Sequence, residues 1–198
     1  MEAIILASSS PRRQELLTKL GIPFQVVMPK IDETIPQGMD ARKAVEHFAV
    51  EKIKAALQLL PQGQTIPWVL SADTLISLND KIYGKPADQD EAIAFLRDFS
   101  GKEQEIFSSV TLYNGRLNYL STRINNTKLK FASLSDEEID WYINTGEWHG
   151  VAGAYRIQGL ASCFIEKIEG SYTSVVGLPL FEFYDILKEQ GYPFIKGT

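Results

Sequence analysis

The sequence predicts an α/β fold with a mixed sheet. Two observations carry this: short apolar runs alternate with helix-patterned segments, and hairpin turn signals sit among them, so the strands cannot all be parallel. The 198 residues are 44% hydrophobic and 23% charged, enough apolar chain for a sizeable core. No repeat, low-complexity tract or linker interrupts it, so residues 1–198 are expected to form one domain.

The elements follow in order. Ala3 to Ala7 is an apolar run too short for a helix and is expected to be a buried strand. A helix comes next: Ser10 suits the N-cap, Pro11 the first helical position, and Leu16, Leu17 and Leu20 form an apolar face before Gly21 stops it. Phe24 to Met28 reads as a second strand, followed by a loop with Asp32, Glu33, Pro36 and Gly38. Val45, Phe48, Ala49, Ala56 and Leu57 keep helical spacing in a long helix ending near Pro61 and Gly63. Trp68 to Leu70 is a third strand running into Ser71-Ala72-Asp73-Thr74, after which Leu75 to Leu78 and Lys81 to Tyr83 flank the turn Asn79-Asp80. Gly84-Lys85-Pro86 closes that unit, and Asp88 with Glu91 makes a capping box for a helix through Phe99. Ile106 to Tyr113 and Leu117 to Ser121 bracket Asn114-Gly115, a tight hairpin signal, and Lys128 to Ala132 adds a strand. Ser135 and Glu138 form a second capping box for a helix to about Asn144, with Gly146 at its end. A glycine-rich stretch from Gly150 to Gly159, a strand from Cys163 to Ile168, a loop from Gly170 to Pro179 and a helix from Leu180 to Gln190 complete the chain.

Charge and composition exclude several classes. A net charge of −5 argues against a general nucleic-acid or anionic-membrane binder, so any anion site must be local. One cysteine, Cys163, rules out an intrachain disulfide, and two histidines, His47 and His149, make zinc a poor fit. There is neither a signal-peptide pattern nor an apolar run of membrane length, and a cytoplasmic protein is expected.

The chemistry concentrates at Leu6 to Arg13, where a strand runs straight into a helix N-terminus. Orphan amides and the positive end of the helix dipole attract an anion, and Ser8, Ser9, Arg12 and Arg13 add donors on the same side. An ordinary turn with two solvated arginines is the alternative. Asp73 follows an apolar strand, where a carboxylate is lifted towards a cleft as metal ligand or general base; capping the backbone is its alternative. Asp32 and Glu33 lie in another strand-exit loop, and one carboxylate from each loop suits Mg²⁺ or Mn²⁺. Lys52, seven residues after Val45, returns to the inward stripe of its helix and either snorkels to the rim or meets phosphate, while Lys54 faces solvent. Lys85 in its rigid turn is a similar candidate, and the amide of Gln158 can read a base edge. Trp68, Trp141, Trp148 and the phenylalanines of the last helix read as packing residues, and Cys163 as a small buried one. No Gly-x-x-x-x-Gly-Lys-Ser/Thr phosphate loop occurs.

In order and content these segments resemble the Maf family of nucleoside triphosphate pyrophosphatases over nearly the whole chain. The resemblance rests on ILASSSPRRQELL at Ile5 to Leu17, DET at Asp32 to Thr34, Ala49-x-x-Lys52, SADTLI at Ser71 to Ile76, GKP at Gly84 to Pro86, AGAYRIQG at Ala152 to Gly159 and GSYTSVVGLP at Gly170 to Pro179. It implies an inosine triphosphatase-like fold, an elongated mixed sheet with flanking helices in two lobes around a cleft. It also implies hydrolysis of a nucleoside triphosphate to monophosphate and pyrophosphate by a homodimer. Ser8, Arg12, Arg13, Lys52 and Lys85 would bind the triphosphate, Glu33 and Asp73 the metal, with Asp73 also acting on the attacking water. Pro11-Arg12-Arg13, Ala72-Asp73-Thr74 and Ile157-Gln158-Gly159 match the dTTP/UTP subfamily, which makes Arg12, Thr74 and Gln158 the specificity candidates; the 7-methyl-GTP subfamily tends to have Trp, Gln and Glu there. Departures from the family pattern occur at Ser100 to Gln104, at Ser108-Ser109-Val110, and at Gly150-Val151, where many members carry Asp-Lys. They motivate a second reading, a nucleotide-binding regulatory protein linked to cell division that hydrolyses little.

Overall fold

The structure is a computed structural model that describes residues 1–61 and 66–195. Its elements are β1 (Ile4–Ala7), α1 (Pro11–Lys19), β2 (Phe24–Val27), α2 (Ala41–Leu59), β3 (Trp68–Leu78), β4 (Lys81–Tyr83), α3 (Gln89–Phe99), β5 (Glu103–Asn114), β6 (Tyr119–Phe131), α4 (Asp136–Asn144), β7 (Ile165–Glu169), α5 (Tyr172–Val176) and α6 (Leu180–Glu189). One seven-stranded sheet runs β2-β1-β3-β5-β6-β7, with β4 also paired to β3. β1 is parallel to β2 and β3 and the remaining pairings are antiparallel, so the sheet is mixed as expected.

β3 organises the molecule. One edge is held along its length by β5, from Trp68 opposite Asn114 to Ser77 opposite Glu105. The other edge is shared: β1 covers Val69 and Leu70, and β4 covers Ile76 to Leu78. Between them residues 71–75 have no strand partner on that side among the described residues, and the sheet parts there into a cleft.

Strand alternation then sorts the side chains into two layers. Leu70, Ala72 and Ile76, with Ile106, Val110 and Leu112, point into the main core beside Leu16, Leu17, Phe183 and Ile186. Val69 points the other way, into a small cluster with Ala7, Ile53 and Ala56 beneath α2. Ser71 and Ser109 face α2 as well, and their hydroxyls donate to the carbonyls of Ala49 and Val45 at 2.6 Å each.

Several expectations change. Trp68–Leu70 and Leu75–Leu78 are one continuous strand, and Asp73 lies in its middle rather than beyond its end. The polar break in the pattern is absorbed because Ser71, Asp73 and Thr74 each find a side-chain or carbonyl partner. The runs Leu117–Ser121 and Lys128–Ala132 belong to a single strand, β6. The expected two-residue turn is a longer loop over 115–118, with Asn114 still paired to Tyr119 and its Oδ1 accepting from the Arg116 amide at 3.0 Å. Gly115 is required there by a close approach, since a Cβ would stand 2.1 Å from the Ile66 carbonyl oxygen. The box at Asp88 is half formed: Asp88 accepts from the Glu91 amide at 2.9 Å, but Glu91 reaches the Ala87 amide instead. The box at Ser135 and Glu138 is complete.

Cys163 is exposed in a 3₁₀ turn (Leu160–Phe164) that precedes β7, so neither its expected strand nor its burial holds. Trp141 and Phe181 are 47% and 76% exposed and are not core residues, although Trp141 meets Phe164 edge-on. The expected loop from Gly170 to Pro179 contains α5, capped by Ser171. Gly63, expected near the end of α2, lies outside the described residues. Among the described residues no helix is long and apolar enough to cross a membrane.

Candidate active site

The cleft at the parted edge of β3 has a volume of about 680 Å³ and is lined by the exit of β1 with the start of α1, the loop after β2, the inward face of α2, the exit of β4, the segment around 150–158 and the end of α5. Ser10 takes the N-cap position of α1 without a side-chain bond to the helix, so the first-turn amides keep their capacity to bind an anion. Ser8, buried, accepts instead from the Ser10 amide at 3.2 Å and from Arg13 Nη1 at 3.1 Å.

The two arginines play different parts. Arg13 donates through Nε to the carbonyl of Gly177 at 2.8 Å, which ties the start of α1 to the end of α5 across the chain. Burial pushes the Arg13 guanidinium pKa down, and the negative charges of Asp73 and Glu33 work against that push. Arg12 is half-buried in the cleft wall with no hydrogen-bonding or ionic partner among the described residues. Burial, with the positive charges of Arg13 and Arg156 nearby, pushes it down to about 10.

Opposite them stands a three-member ion cluster. Lys52 projects from the inward face of α2, buried, with Nζ 2.5 Å from Asp73 Oδ1 and 2.9 Å from Glu33 Oε1. Burial works to raise the Glu33 pKa, but the hydrogen bond and charge of Lys52, with Lys85 and Arg13, outweigh it and hold the carboxyl below its ordinary value. Lys85 is mostly exposed at the rim, 3.9 Å from Glu33 Oε2. Asp32 does not join the cluster; it is exposed and its Oδ1 accepts from the Thr34 amide at 2.8 Å.

Thr74 is on the opposite face of β3 from Asp73, with Oγ1 2.8 Å from Ser108 Oγ. Ser108 donates its proton to the Ser174 carbonyl at 2.7 Å, so Thr74 must be the donor of the pair and offers only its lone pairs to the cleft. Gln158 stands at the tip of a turn closed by the Gly159 amide on the Arg156 carbonyl at 3.0 Å, exposed into the cleft beside Ile157 and Val151. Ile35 and Ile82 line the cleft as well.

Ser8, Arg12, Arg13, Glu33, Lys52, Asp73, Thr74, Lys85 and Gln158 therefore all border one cleft. The residue-by-residue reading missed Gly177, because its carbonyl is a main-chain group with no side-chain signature; its φ of +124° is the one local signal, since that region favours glycine. His47 and His149 do not border the cleft. Among the described residues no group of three or more His, Cys, Asp or Glu converges as a metal centre. Among the described residues Glu33 and Asp73 converge, each with its nearest oxygen on the Lys52 ammonium and a second oxygen left over; two carboxylates are the donor number Mg²⁺ accepts from protein when phosphate oxygens complete its shell, so the pair fits beside Lys52.

Residues 3–190 match the family model described as Maf-like protein. A dTTP/UTP pyrophosphatase of Pelotomaculum thermopropionicum is 41% identical over 192 residues, covering 97% of this chain and 98% of that protein. A dTTP/UTP pyrophosphatase of Shewanella sp. strain MR-7 is 44% identical over 193 residues, covering 95% of this chain and 98% of that protein. Among solved structures, the Staphylococcus aureus Ham1 protein aligns over 66% of this chain and 72% of that one, at 16% identity and a TM-score of 0.44. With the family model matched from residue 3 to residue 190, the chain belongs to the Maf-like protein family.

Proposed function

We propose that this chain is a nucleoside triphosphate pyrophosphatase that hydrolyses dTTP and UTP to the monophosphate and pyrophosphate, using Mg²⁺ or Mn²⁺, and that it clears nucleotides in the cytoplasm as a one-domain homodimer. The observation that carries the reaction is one juxtaposition: Arg12, a half-buried cation without a counter-ion among the described residues, shares a cleft with two carboxylates joined through Lys52. A triphosphate supplies the missing negative charge on one side and brings its phosphorus to the carboxylates on the other. The base preference rests on the relatives' names and on the match at Arg12, Thr74 and Gln158; the homodimer rests on the family resemblance alone.

In this reading the phosphates lie against the N-terminus of α1, with Arg12 and Lys85 neutralising them and Ser8 donating. Arg13 holds Ser8 and the 175–177 segment in place. Lys52 keeps Glu33 and Asp73 aimed at a common point. Asp73 Oδ1 is bonded to Lys52, so Oδ2 orients the water that attacks the α-phosphorus and takes its proton as the bond to the leaving pyrophosphate breaks. Glu33 and Asp73 would hold the metal, which when bound neutralises charge growing on the phosphate oxygens. Gln158 and the lone pairs of Thr74 meet the base.

The test is pyrophosphate release from dTTP, UTP, CTP, GTP, ITP and 7-methyl-GTP with Mg²⁺, with Mn²⁺ and with chelator. Metal-dependent release, fastest from dTTP or UTP, is expected. A best rate on 7-methyl-GTP overturns the specificity, and nucleotide binding with no release from any substrate overturns the enzyme in favour of a nucleotide-binding regulator.

A further inference from the structure

The turn that carries Gln158 is anchored from outside the cleft. Its glycine, Gly159, has φ −113°, a conformation open to other residues, so backbone freedom does not explain it. Space does: a Cβ at Gly159 would stand 2.3 Å from Glu147 Oε2 and 2.7 Å from Oε1. Glu147 uses that approach to accept the Leu160 amide at 2.9 Å, immediately after the turn. At the other end the Arg156 amide donates to the Tyr142 hydroxyl at 3.1 Å, and Arg156 Nη2 donates to the His149 carbonyl at 3.2 Å. Tyr142 is buried on α4, and Glu147 follows that helix by three residues. The turn is thus pinned on both sides by α4 and the residues after it, none of which needs to touch a nucleotide.

We infer that Glu147 is a positioning residue that sets base selectivity by fixing the 156–159 turn, and with it the Gln158 amide, through the Leu160 N–H. The inference rests on the reading of Gln158 as the group that meets the base. An exposed glutamine on a loose turn samples many rotamers, and its discrimination between bases falls with each one. A carboxylate accepting a main-chain amide is a strong bond for this purpose, and it lies so close to Gly159 that a methyl group there would push it off the Leu160 amide.

The test uses the full chain and five variants: Glu147→Ala, Glu147→Gln, Gly159→Ala, whose methyl group displaces the Glu147 carboxylate, Gln158→Ala, and the double variant of Glu147→Ala with Gln158→Ala. Amide exchange at Leu160 is read alongside steady-state rates for dTTP, UTP and CTP. Exchange at Leu160 is expected to be about tenfold faster in Glu147→Ala and Gly159→Ala, and near wild type in Glu147→Gln, whose side-chain oxygen still accepts. KM for dTTP and UTP rises about tenfold in the same two variants, kcat stays within about twofold, and the preference over CTP shrinks. Adding Gln158→Ala to Glu147→Ala does little more, because both act on one contact.

Unchanged exchange at Leu160 overturns the anchor. Faster exchange with unaltered KM and preference overturns its role in selectivity, and so does a loss that is equal for every nucleotide or that follows the loss of folded protein. No pyrophosphate from dTTP or UTP in the wild type, with the exchange pattern as expected, overturns the proposed substrate while the anchor itself stands.

Discussion

The Lys52 ammonium bonds both Asp73 and Glu33, so either carboxylate alone matches its charge, and removing one leaves the other to hold it. Asp73→Asn therefore keeps a folded protein with Glu33 still on Lys52, but loses the group that takes the proton from water. Its kcat for dTTP is expected to fall roughly 10²- to 10⁴-fold with circular dichroism unchanged; a variant that keeps full turnover ends the assigned role. Glu33 carries a pH signature of its own. Its folded pKa lies below the ordinary glutamate value of 4.5, so its stabilising effect is present above that value and is lost as pH falls through the folded pKa. The wild-type melting temperature should drop more steeply than that of Glu33→Gln as pH is lowered below about 4.5, and the two curves should run parallel at neutral pH. Parallel curves in acid as well remove the Glu33–Lys52 bond from the energetics. Because the Glu33 side chain is 49% exposed, solvent screening keeps the difference small.

At the scale of elements, main-chain packing decides how turns and helix ends tolerate change. Gly115→Ala places a methyl group against the Ile66 carbonyl, a main-chain atom two residues before β3, and should cost roughly 1–3 kcal/mol in urea unfolding. Ser135→Ala removes one half of the complete capping box of α4 and should cost about 1 kcal/mol. A Gly115→Ala effect below that of Ser135→Ala contradicts the close approach. The same distinction explains what the sequence revealed of the fold. α1, α3 and α4 were legible because caps, proline and apolar spacing act within a few residues. β3 read as two pieces because what makes Ser71, Asp73 and Thr74 acceptable inside a strand is the Ala49 carbonyl, Lys52 and Ser108, 21 to 34 positions away. Lys52 was legible because helical periodicity alone puts it on the inward face of α2. Its partners were not, since periodicity on one helix carries no information about the β3 edge that faces it. Gly177 and Glu147 act through main-chain groups, and no side-chain pattern announces such contacts.

The whole molecule has a net charge of −5, yet the cleft concentrates Arg12, Arg13, Lys52 and Lys85 where three separate parts of the chain meet the parted edge of β3. Arg12 is the member of this set whose charge nothing among the described residues balances, and its pKa, lowered to about 10 by burial and by the neighbouring arginines, is the sign that holding it there is unfavourable without a ligand. Neutralising it by Arg12→Met should raise the melting temperature of the ligand-free protein, a gain in stability obtained by giving up function. An anion should do the reverse for the wild type. Inorganic pyrophosphate at about one hundred times its Kd adds about 2.7 kcal/mol to unfolding, which for a chain of this size is roughly 5–10 °C in melting temperature. At the same pyrophosphate concentration Arg12→Met should gain much less, because the anion's bridge between α1 and Lys85 at the β4 exit has lost one abutment. Differential scanning calorimetry of both proteins, with and without pyrophosphate, measures the four temperatures. A ligand-free Arg12→Met that melts below the wild type, or one that gains as much from pyrophosphate, contradicts the picture of a cation kept unpaired for a phosphate.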